Sequence, residues 1–406
     1  MSAIAHTFVE VNSEFTTASN VYVDVTGAVI SSGSFTVGKK YLLVITAQVV
    51  EDAGGYFFMQ PRHGSTDFAE SGQYFAPAGS GSGVNFRYTY GWFTVWTAVS
   101  GEAIQLRMGV TSGNAIVNKV GMLAICLSDD VVENTDWFFA EATADASLST
   151  TPSDGASITF TPSGASDWLV LSLARIDYSA TSVIVTSKMV RSGEASSSTP
   201  AEVLDASATD QEDTRFLARV FACTAASNTF KEQSVSGSSS STRVYSSIFA
   251  LNLNKFAAHG FTYTDGGQAL GTASDFVTNI QSASITPAVT GNVWMLSYFT
   301  CDVGDANERS TQRLQVDGSD QPAGQTTDAY KFDVGHSLLS TNDKAMVLST
   351  VASLSNASHT LTLDSSTNSS TGTPTAKQRL IMAVSMELAS GAPPPSFVKL
   401  EIRAAP

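Results

Sequence analysis

The residues that could do chemistry in this sequence are few and scattered. Its five histidines form no HExxH pair and no metal-ligand spacing. The sequence contains no GxSxG elbow, Walker loop or strand-linked GxGxxG, and Gly79–Gly83 has the composition of a flexible loop. Two acidic clusters remain, Asp302, Asp305 and Glu308 in one and Asp129–Asp130 in the other. Neither has calcium-loop spacing, so we interpret both as solvated charge and predict no catalytic residue, no metal site and no cofactor.

The aromatic residues offer a binding site of another kind. Tyr88, Tyr90, Trp92 and Trp96 alternate along one face of a predicted strand. If this row were exposed it could stack on sugar rings and bind a host-surface glycan. Packing inside a core or between subunits is the alternative, and it is favoured because exposed aromatic rows are costly for a soluble monomer.

The elements that would position these side chains are strands, as one repeated stretch indicates. Met122–Leu127 returns as Ile248–Leu253 and again as Ala383–Leu388. In every copy one alternating set is large and apolar: Leu123, Ile125 and Leu127; Phe249, Leu251 and Leu253; Val384, Met386 and Leu388. A period of two with one apolar side is typical of a β-strand that covers a core, and here it closes each of three repeats.

A second landmark gives the repeat length. Tyr41, Trp168 and Trp294 open equivalent apolar strands and lie 127 and 126 residues apart. The sequence therefore predicts an all-β protein of three tandem antiparallel β-sandwich modules of about 125 residues each, with jelly-roll and immunoglobulin-like wiring both open. The predicted boundaries are 1–128, 129–254 and 255–391, followed by a proline-rich arm at 392–406.

Within each module a hairpin of long strands is predicted near the end. In the first, Trp92–Trp96 turns at Ser100–Glu102 into Ile104–Arg107. A shorter hairpin is predicted in the middle of the later modules, as where Gln312–Val316 precedes Asp317–Gly318. No long stripe with a helical period occurs, so helix should be scarce.

Three strands are apolar on both faces, which a free-standing sandwich does not need. They are Tyr41–Ile45, Trp168–Leu173 and Val293–Leu296. Both faces should therefore be covered, either by a neighbouring module or by another copy of the protein, and we expect another copy.

The C-terminal arm joins a stiff spacer to a strand-like segment. Pro393–Pro395 favour an extended conformation, and Phe397, Val398, Leu400 and Ile402 follow on an alternating pattern. This segment is a candidate assembly arm that could add to the sheet edge of a neighbour, or it could fold back on the third module.

Charge and cysteine content limit the class of partner. The net charge of −15 and a pI of about 4.6 disfavour binding to nucleic acid or to an anionic membrane. No membrane span and no secretion signal is visible in the sequence. Cys126, Cys223 and Cys301 imply no pairing, so we expect reduced thiols and synthesis in a cytoplasm.

In these features the chain resembles structural proteins of tailed bacteriophages, of the capsid-decoration, head-fibre or tail-fibre type. The resemblance lies in the Ser/Thr/Ala/Gly-rich tandem modules, the Trp168–Leu173 strand and the Val244–Leu251 strand. It implies a non-enzymatic role in the virion, commonly as a homotrimer bound to major capsid or tail proteins.

Two other functions stay open from the sequence alone. One is a receptor- or glycan-binding tail fibre or adhesin. The other is an accessory module of an extracellular hydrolase.

Overall fold

A computed structural model describes residues 2–51, 57–68, 73–75, 86–178, 180, 183–194, 201–205, 211–238, 241–270, 277–302, 309–321, 332–335, 343–367 and 375–389. This part of the chain is built from β-strands, with two short 3-10 turns at Ser32–Ser34 and Leu253–Lys255. Helix is scarce in it, as predicted. None of its helical segments is long and apolar enough to span a bilayer.

The strands are numbered in chain order. Strands of the first module are β1 (His6–Val11), β2 (Phe15–Thr17), β3 (Val23–Ile30), β4 (Lys40–Glu51), β5 (Phe57–His63), β6 (Thr66–Asp67), β7 (Gln73–Phe75), β8 (Phe86–Thr97), β9 (Ile104–Val110) and β10 (Ala115–Cys126). Strands of the second are β11 (Trp137–Ala142), β12 (Ala146–Ser147), β13 (Ser153–Phe160), β14 (Ser166–Tyr178), β15 (Ile184–Arg191), β16 (Ala201–Asp205), β17 (Gln211–Cys223), β18 (Asn228–Ser236) and β19 (Ser241–Asn252). Strands of the third are β20 (His259–Ala269), β21 (Val277–Ile285), β22 (Gly291–Asp302), β23 (Arg309–Val316), β24 (Ser319–Asp320), β25 (Phe332–Gly335), β26 (Asp343–Leu354), β27 (His359–Thr367) and β28 (Thr375–Ser385).

Each module contains two antiparallel sheets, which we call inner and outer. The inner sheets have the orders β1-β10-β4-β8, β11-β19-β14-β17 and β20-β28-β22-β26. The outer sheets have the orders β3-β9-β5-β6, β13-β18-β15-β16 and β21-β27-β23-β24. A single pair, Val203 with Asp343, links the second outer sheet to the third inner sheet.

The repeated strand order decides the wiring. In every module the first strand lies beside the last, and the last two strands belong to different sheets. An immunoglobulin sandwich keeps its last two strands in one sheet, whereas a jelly roll alternates them. The predicted all-β sandwich fold is confirmed, and its wiring is that of a jelly roll.

This wiring corrects the predicted long hairpins. β8 and β9 are consecutive in the chain, but β8 pairs with β4 in the inner sheet and β9 with β5 in the outer sheet. β17 and β18 are divided in the same way, and so are β26 and β27. A polar turn between two strand-like stretches marks a reversal of direction without telling whether the strands then pair or cross to the facing sheet. The shorter predicted hairpin is confirmed, since β23 pairs with β24.

The two faces of an inner sheet have different neighbours. On one face Trp92 contacts Phe68 with ring centroids 5.0 Å apart, and so packs inside its own sandwich. On the other face Phe93 contacts Phe216 of the second module, with ring centroids 5.8 Å apart. The inner sheet is thus buried on both sides within one chain.

The strands that are apolar on both faces lie in these inner sheets. Leu42, Leu43 and Val44 of β4 are fully buried in the isolated chain, and the matching positions of β14 and β22 are buried as well. Neighbouring modules therefore provide the cover, and not a second copy as we expected.

Trp294 does not match its predicted equivalents in direction. The Trp168 ring lies 4.2 Å from the Phe160 ring inside its own sandwich. Trp294 instead donates from Nε1 to Oγ of Ser349 at 3.0 Å, and the backbone N–H of Ser349 donates to Thr46 of the first module. The sheet register accounts for the difference: Trp168 pairs with Asn252, one residue before Leu253, whereas Trp294 pairs with Val384, four residues before Leu388. A shift of three residues, like any odd shift, turns a strand side chain to the opposite face.

Candidate functional site

The aromatic row is not a surface platform at the positions where its burial is described. Tyr90 and Trp92 are fully buried and Trp96 is 6% exposed. Trp96 packs against the rings of Phe35 and His63. Because a sugar needs an open ring face, this burial contradicts glycan binding at Tyr90, Trp92 and Trp96 and agrees with packing, the interpretation that the sequence favoured. Tyr88 pairs with Val49 in the sheet, and its side chain lies outside the described part.

The other predicted positions are only partly described. The assembly arm with Phe397, Val398, Leu400 and Ile402 lies outside the described residues, as do Asp305 and Glu308. Asp129 forms an ion pair with Lys39, which is a structural contact within a junction. Burial is the main cause that raises the pKa of Asp130, and the neighbouring Asp129 adds to it. Among the described residues no group of three or more potential ligands could hold a metal ion.

The structure instead brings together residues at the junctions between modules. At the first junction Lys40, at the start of β4, pairs with Glu133 of the following linker at 2.7 Å. The Lys40 ammonium also lies 5.5 Å from the ring centroid of Trp137. Trp137 opens β11 and donates from Nε1 to the carbonyl of Leu127 at 3.1 Å. β4 of module 1 therefore holds the start of module 2.

The second junction repeats this geometry with other residues. Asp167, near the start of β14, lies 3.1 Å from Nε2 of His259, which opens β20. The backbone N–H of Asp167 also donates to Asn254 at 2.8 Å. Here β14 of module 2 holds the start of module 3.

The third junction closes the series, although no linker joins its two sides. Asn292 of β22 lies 3.0 Å from His6 of β1, between Nδ2 and Nε2. The chain before β1 then pairs with the end of module 3: the N–H of Ile4 donates to Met386 at 2.8 Å, and that of Leu388 donates to Ser2 at 2.9 Å. The three modules thus form a closed ring.

A second set of contacts follows the same cyclic order. The short strand β7 of module 1 lies against β17 of module 2, β16 of module 2 lies against β26 of module 3, and β25 of module 3 lies against β8 of module 1. Each module therefore contacts the next one through equivalent strands. Such head-to-tail contacts close into a ring when the rotation between neighbours is a third of a turn.

Both described ends of the chain and the linkers lie on one side of this ring, which we call the linker end. Asp136 of the first linker pairs with Lys255 of the second at 3.0 Å. Ala389 donates from its N–H to the carbonyl of Lys255 at 2.9 Å. Exposed apolar side chains occur in the loops and linker of the same end: Val37, Val99, Val132 and Val289.

A hollow of about 640 Å³ opens at the linker end of module 2. Its floor contains the rings of Phe138, Phe160 and Trp168, with the first two stacked at 4.7 Å between centroids. Amide and hydroxyl side chains surround that floor, among them Asn252 and Asn254. An aromatic floor with a polar rim suits an extended peptide or another ligand with both kinds of surface. Unlike the row at Tyr88–Trp96, this set forms no local pattern in the sequence, because its members are separated in the chain.

Module 2 also encloses a charged network in its sandwich. Glu232 is fully buried, lies 3.1 Å from Arg243 and accepts a hydrogen bond from Ser234. Arg215, also fully buried, donates to the carbonyl of Val185 at 2.7 Å. Burial raises the pKa of Glu232 to about 7, against the opposing effect of Arg243. Glu232 stands two residues after Phe230, in the alternating set of β18 that is buried, and this spacing was the signal available in the sequence.

No known protein family and no curated protein matches this sequence. Solved structures that show some likeness include a chain from a study of the triple jelly roll fold and turret assembly in an archaeal virus, with 10% identity, a TM-score of 0.21, and 94% of this chain and 92% of that chain covered. A chain of infectious bursal disease virus, Gx strain, has 10% identity and a TM-score of 0.25, covering 64% and 72%. An insecticidal delta-endotoxin of Bacillus thuringiensis has 11% identity and a TM-score of 0.21, covering 53% and 42%. These scores are too low to support an argument about this chain.

Proposed function

We propose that this protein is a non-enzymatic structural protein of a virus particle, made in the host cytoplasm and carried on the particle surface. The closed ring of three jelly rolls is the observation that carries the proposal. Each module is held by two neighbours, and the large apolar set of each closing strand is spent on burial within the chain. A closed ring with this much internal burial suits a structural role in a particle better than it suits catalysis.

We further propose that one chain supplies the threefold arrangement that a homotrimer would otherwise provide. The contacts from module 1 to 2, from 2 to 3 and from 3 to 1 use equivalent strands. A decoration role is favoured over a fibre, because a ring closed by pairing near Ser2 and Leu388 does not extend along an axis. Self-association then joins complete rings to each other, and binding to capsid or tail proteins attaches them to the particle.

The linker end is the side that we propose faces the particle. Val37, Val99, Val132 and Val289 are between 38% and 60% exposed there, and both described ends of the chain lie at the same side. Burying several exposed valines against a partner would gain roughly 25 cal/mol for each Å² of apolar surface removed from water.

Retention on particles is the test. Virions purified through a density gradient should contain the chain by mass spectrometry, and purified chain should rebind particles that lack it. A variant with Val37→Asp and Val132→Asp should rebind less, while Val21→Asp, which alters an exposed valine away from the linker end, should rebind normally. Absence of the chain from purified virions would refute the proposal.

A further inference from the structure

We propose that the hollow at the linker end of module 2 binds the C-terminal arm of a second copy of this chain, with Phe397 on its aromatic floor. This inference rests on the self-association part of the proposed function. It identifies the site and the segment through which one ring would join another.

The chemistry of the hollow fits such an arm. Phe138 is half-buried, so part of its ring is available to a second aromatic ring, whereas Phe160 and Trp168 beneath it are 5% and 1% exposed. Aromatic pairs at this kind of distance are stabilised beyond the burial of area alone. The carboxamides of Asn134 and Asn252 at the rim can bind the backbone of an extended segment.

Module 1 shows what fills the corresponding place. Its loop between β3 and β4 carries Phe35, whose ring lies 5.0 Å from both Tyr41 and Trp96. In module 2 the loop between β13 and β14 is shorter and consists of Thr161–Ala165, which contains no large apolar side chain. In module 2 the ring that packs on Trp168 is therefore that of Phe160 in β13, and the loop itself places no aromatic side chain over the hollow.

The described part of the chain ends at the rim of this hollow. Ala389 donates its N–H to the carbonyl of Lys255 at 2.9 Å, and Lys255 lines the hollow. The arm that follows carries one aromatic residue, Phe397, seven residues beyond Ser390.

The spacer favours a second copy over the same chain. Pro393–Pro395 favour the polyproline conformation, and Ala392 is restricted to extended geometry because a proline follows it. In that conformation, at about 3.1 Å per residue, the stretch from Ala392 to Ser396 would span about 15 Å. A stiff segment of this length that begins beside the hollow would carry Phe397 past it and toward a neighbouring ring.

Disulfide trapping between two variants of the full chain, each with one added cysteine, tests this directly. Gly164 lines the hollow, and a Cβ added there meets no atom within 4 Å. A mixture of Gly164→Cys chains with Ser396→Cys chains, which keep Phe397, should give a mixed disulfide dimer several-fold faster than the control under mild oxidation and without particles. The control mixes Gly33→Cys with Ser396→Cys, since Gly33 in module 1 is equally open. The native thiols of Cys126, Cys223 and Cys301 are at most 1% exposed and do not compete.

Two results would overturn the proposal. One is an equal rate of dimer formation for the Gly164→Cys mixture and the Gly33→Cys control. The other is an intramolecular disulfide in a chain that carries both Gly164→Cys and Ser396→Cys, at a yield that does not change on dilution, because the arm would then occupy its own hollow. Neither result bears on whether the chain is present in virions, so failure here is distinct from failure of the proposed function.

Discussion

Gly91 of β8 lies directly against Val347 of β26, where modules 1 and 3 meet. A Cβ added at Gly91 would come within 2.4 Å of Cγ1 of Val347. The added Cβ would also lie 3.0 Å from the Cβ of Phe216 in module 2. Strands of all three inner sheets therefore converge at a glycine, because only a residue without a side chain lets the backbones approach this closely.

Replacement of Gly91 should weaken the centre of the ring. Gly91→Ala is expected to lower the free energy of unfolding by about 1–3 kcal/mol, the usual cost of overpacking a dense core. Urea denaturation measures this. Gly33→Ala, where an added Cβ meets open space, is the matched control. Adding Val347→Ala to Gly91→Ala should recover part of the loss, and a Gly91→Ala protein as stable as the control would contradict the packing described above.

The closure between modules 3 and 1 should depend on Ile4. This side chain is 1% exposed, so Ile4→Ala should lower the free energy of unfolding by about 2–5 kcal/mol through lost burial and the cavity left behind. Hydrogen exchange should then become faster in the partner segment Met386–Leu388, as well as near Ile4. Val21→Ala, at a valine that is 62% exposed, should change neither quantity. Faster exchange confined to module 1 would show that the ring does not depend on this contact.

Glu232 should make module 2 more stable in mild acid than at alkaline pH. Its pKa is raised to about 7 in the fold from an ordinary value of 4.5, mainly by burial, while Arg243, Arg215 and Asp154 are the charged groups around it. A raised pKa means that the folded state holds the proton more tightly than the unfolded state does. The contribution of Glu232 protonation to the free energy of unfolding is therefore complete below about pH 4.5. It is lost as pH rises through about 7, which lowers the free energy of unfolding by up to about 3 kcal/mol.

Glu232→Gln checks this assignment. The variant keeps the shape of the protonated side chain, so its urea midpoint should match that of the wild type at pH 5 and vary less between pH 5 and pH 8. The difference between the two proteins isolates Glu232 from other titrating groups. A parallel pH dependence in both proteins would assign the effect to another residue.

The three thiols should be unreactive in the folded protein. Cys126, Cys223 and Cys301 are free and buried, and burial raises the pKa of Cys223 to about 11. Since the thiolate is the reactive form, a thiol reagent at pH 8 should modify them only at the rate of unfolding. Val37→Cys, at a position 60% exposed, should react at once with one equivalent and serves as the reference. Rapid reaction of wild-type thiols would mean that the inner sheets open readily.

The sequence by itself determined the class of structure and the existence of two unlike strand faces. The alternation at Leu123 and Ile125, at Phe249 and Leu251, and at Val384 and Met386 is a local property of each strand, and it persists in the fold as the buried set of each closing strand. Composition and period, which need no knowledge of partners, were enough for this.

Tertiary structure alone decided what covers each face and where the strands pair. The continuous apolar run in β4 shows that both of its faces must be buried, but not that Thr46 would meet Ser349, which is 303 residues away. Trp294 turns to the opposite side from Trp168 because its place in the sheet register is shifted by three residues, an odd number, and no local pattern marks that change. The ring, its junctions and the hollow of module 2 are all made by residues far apart in the chain, so their proximity is a property of the fold and not of any stretch of sequence.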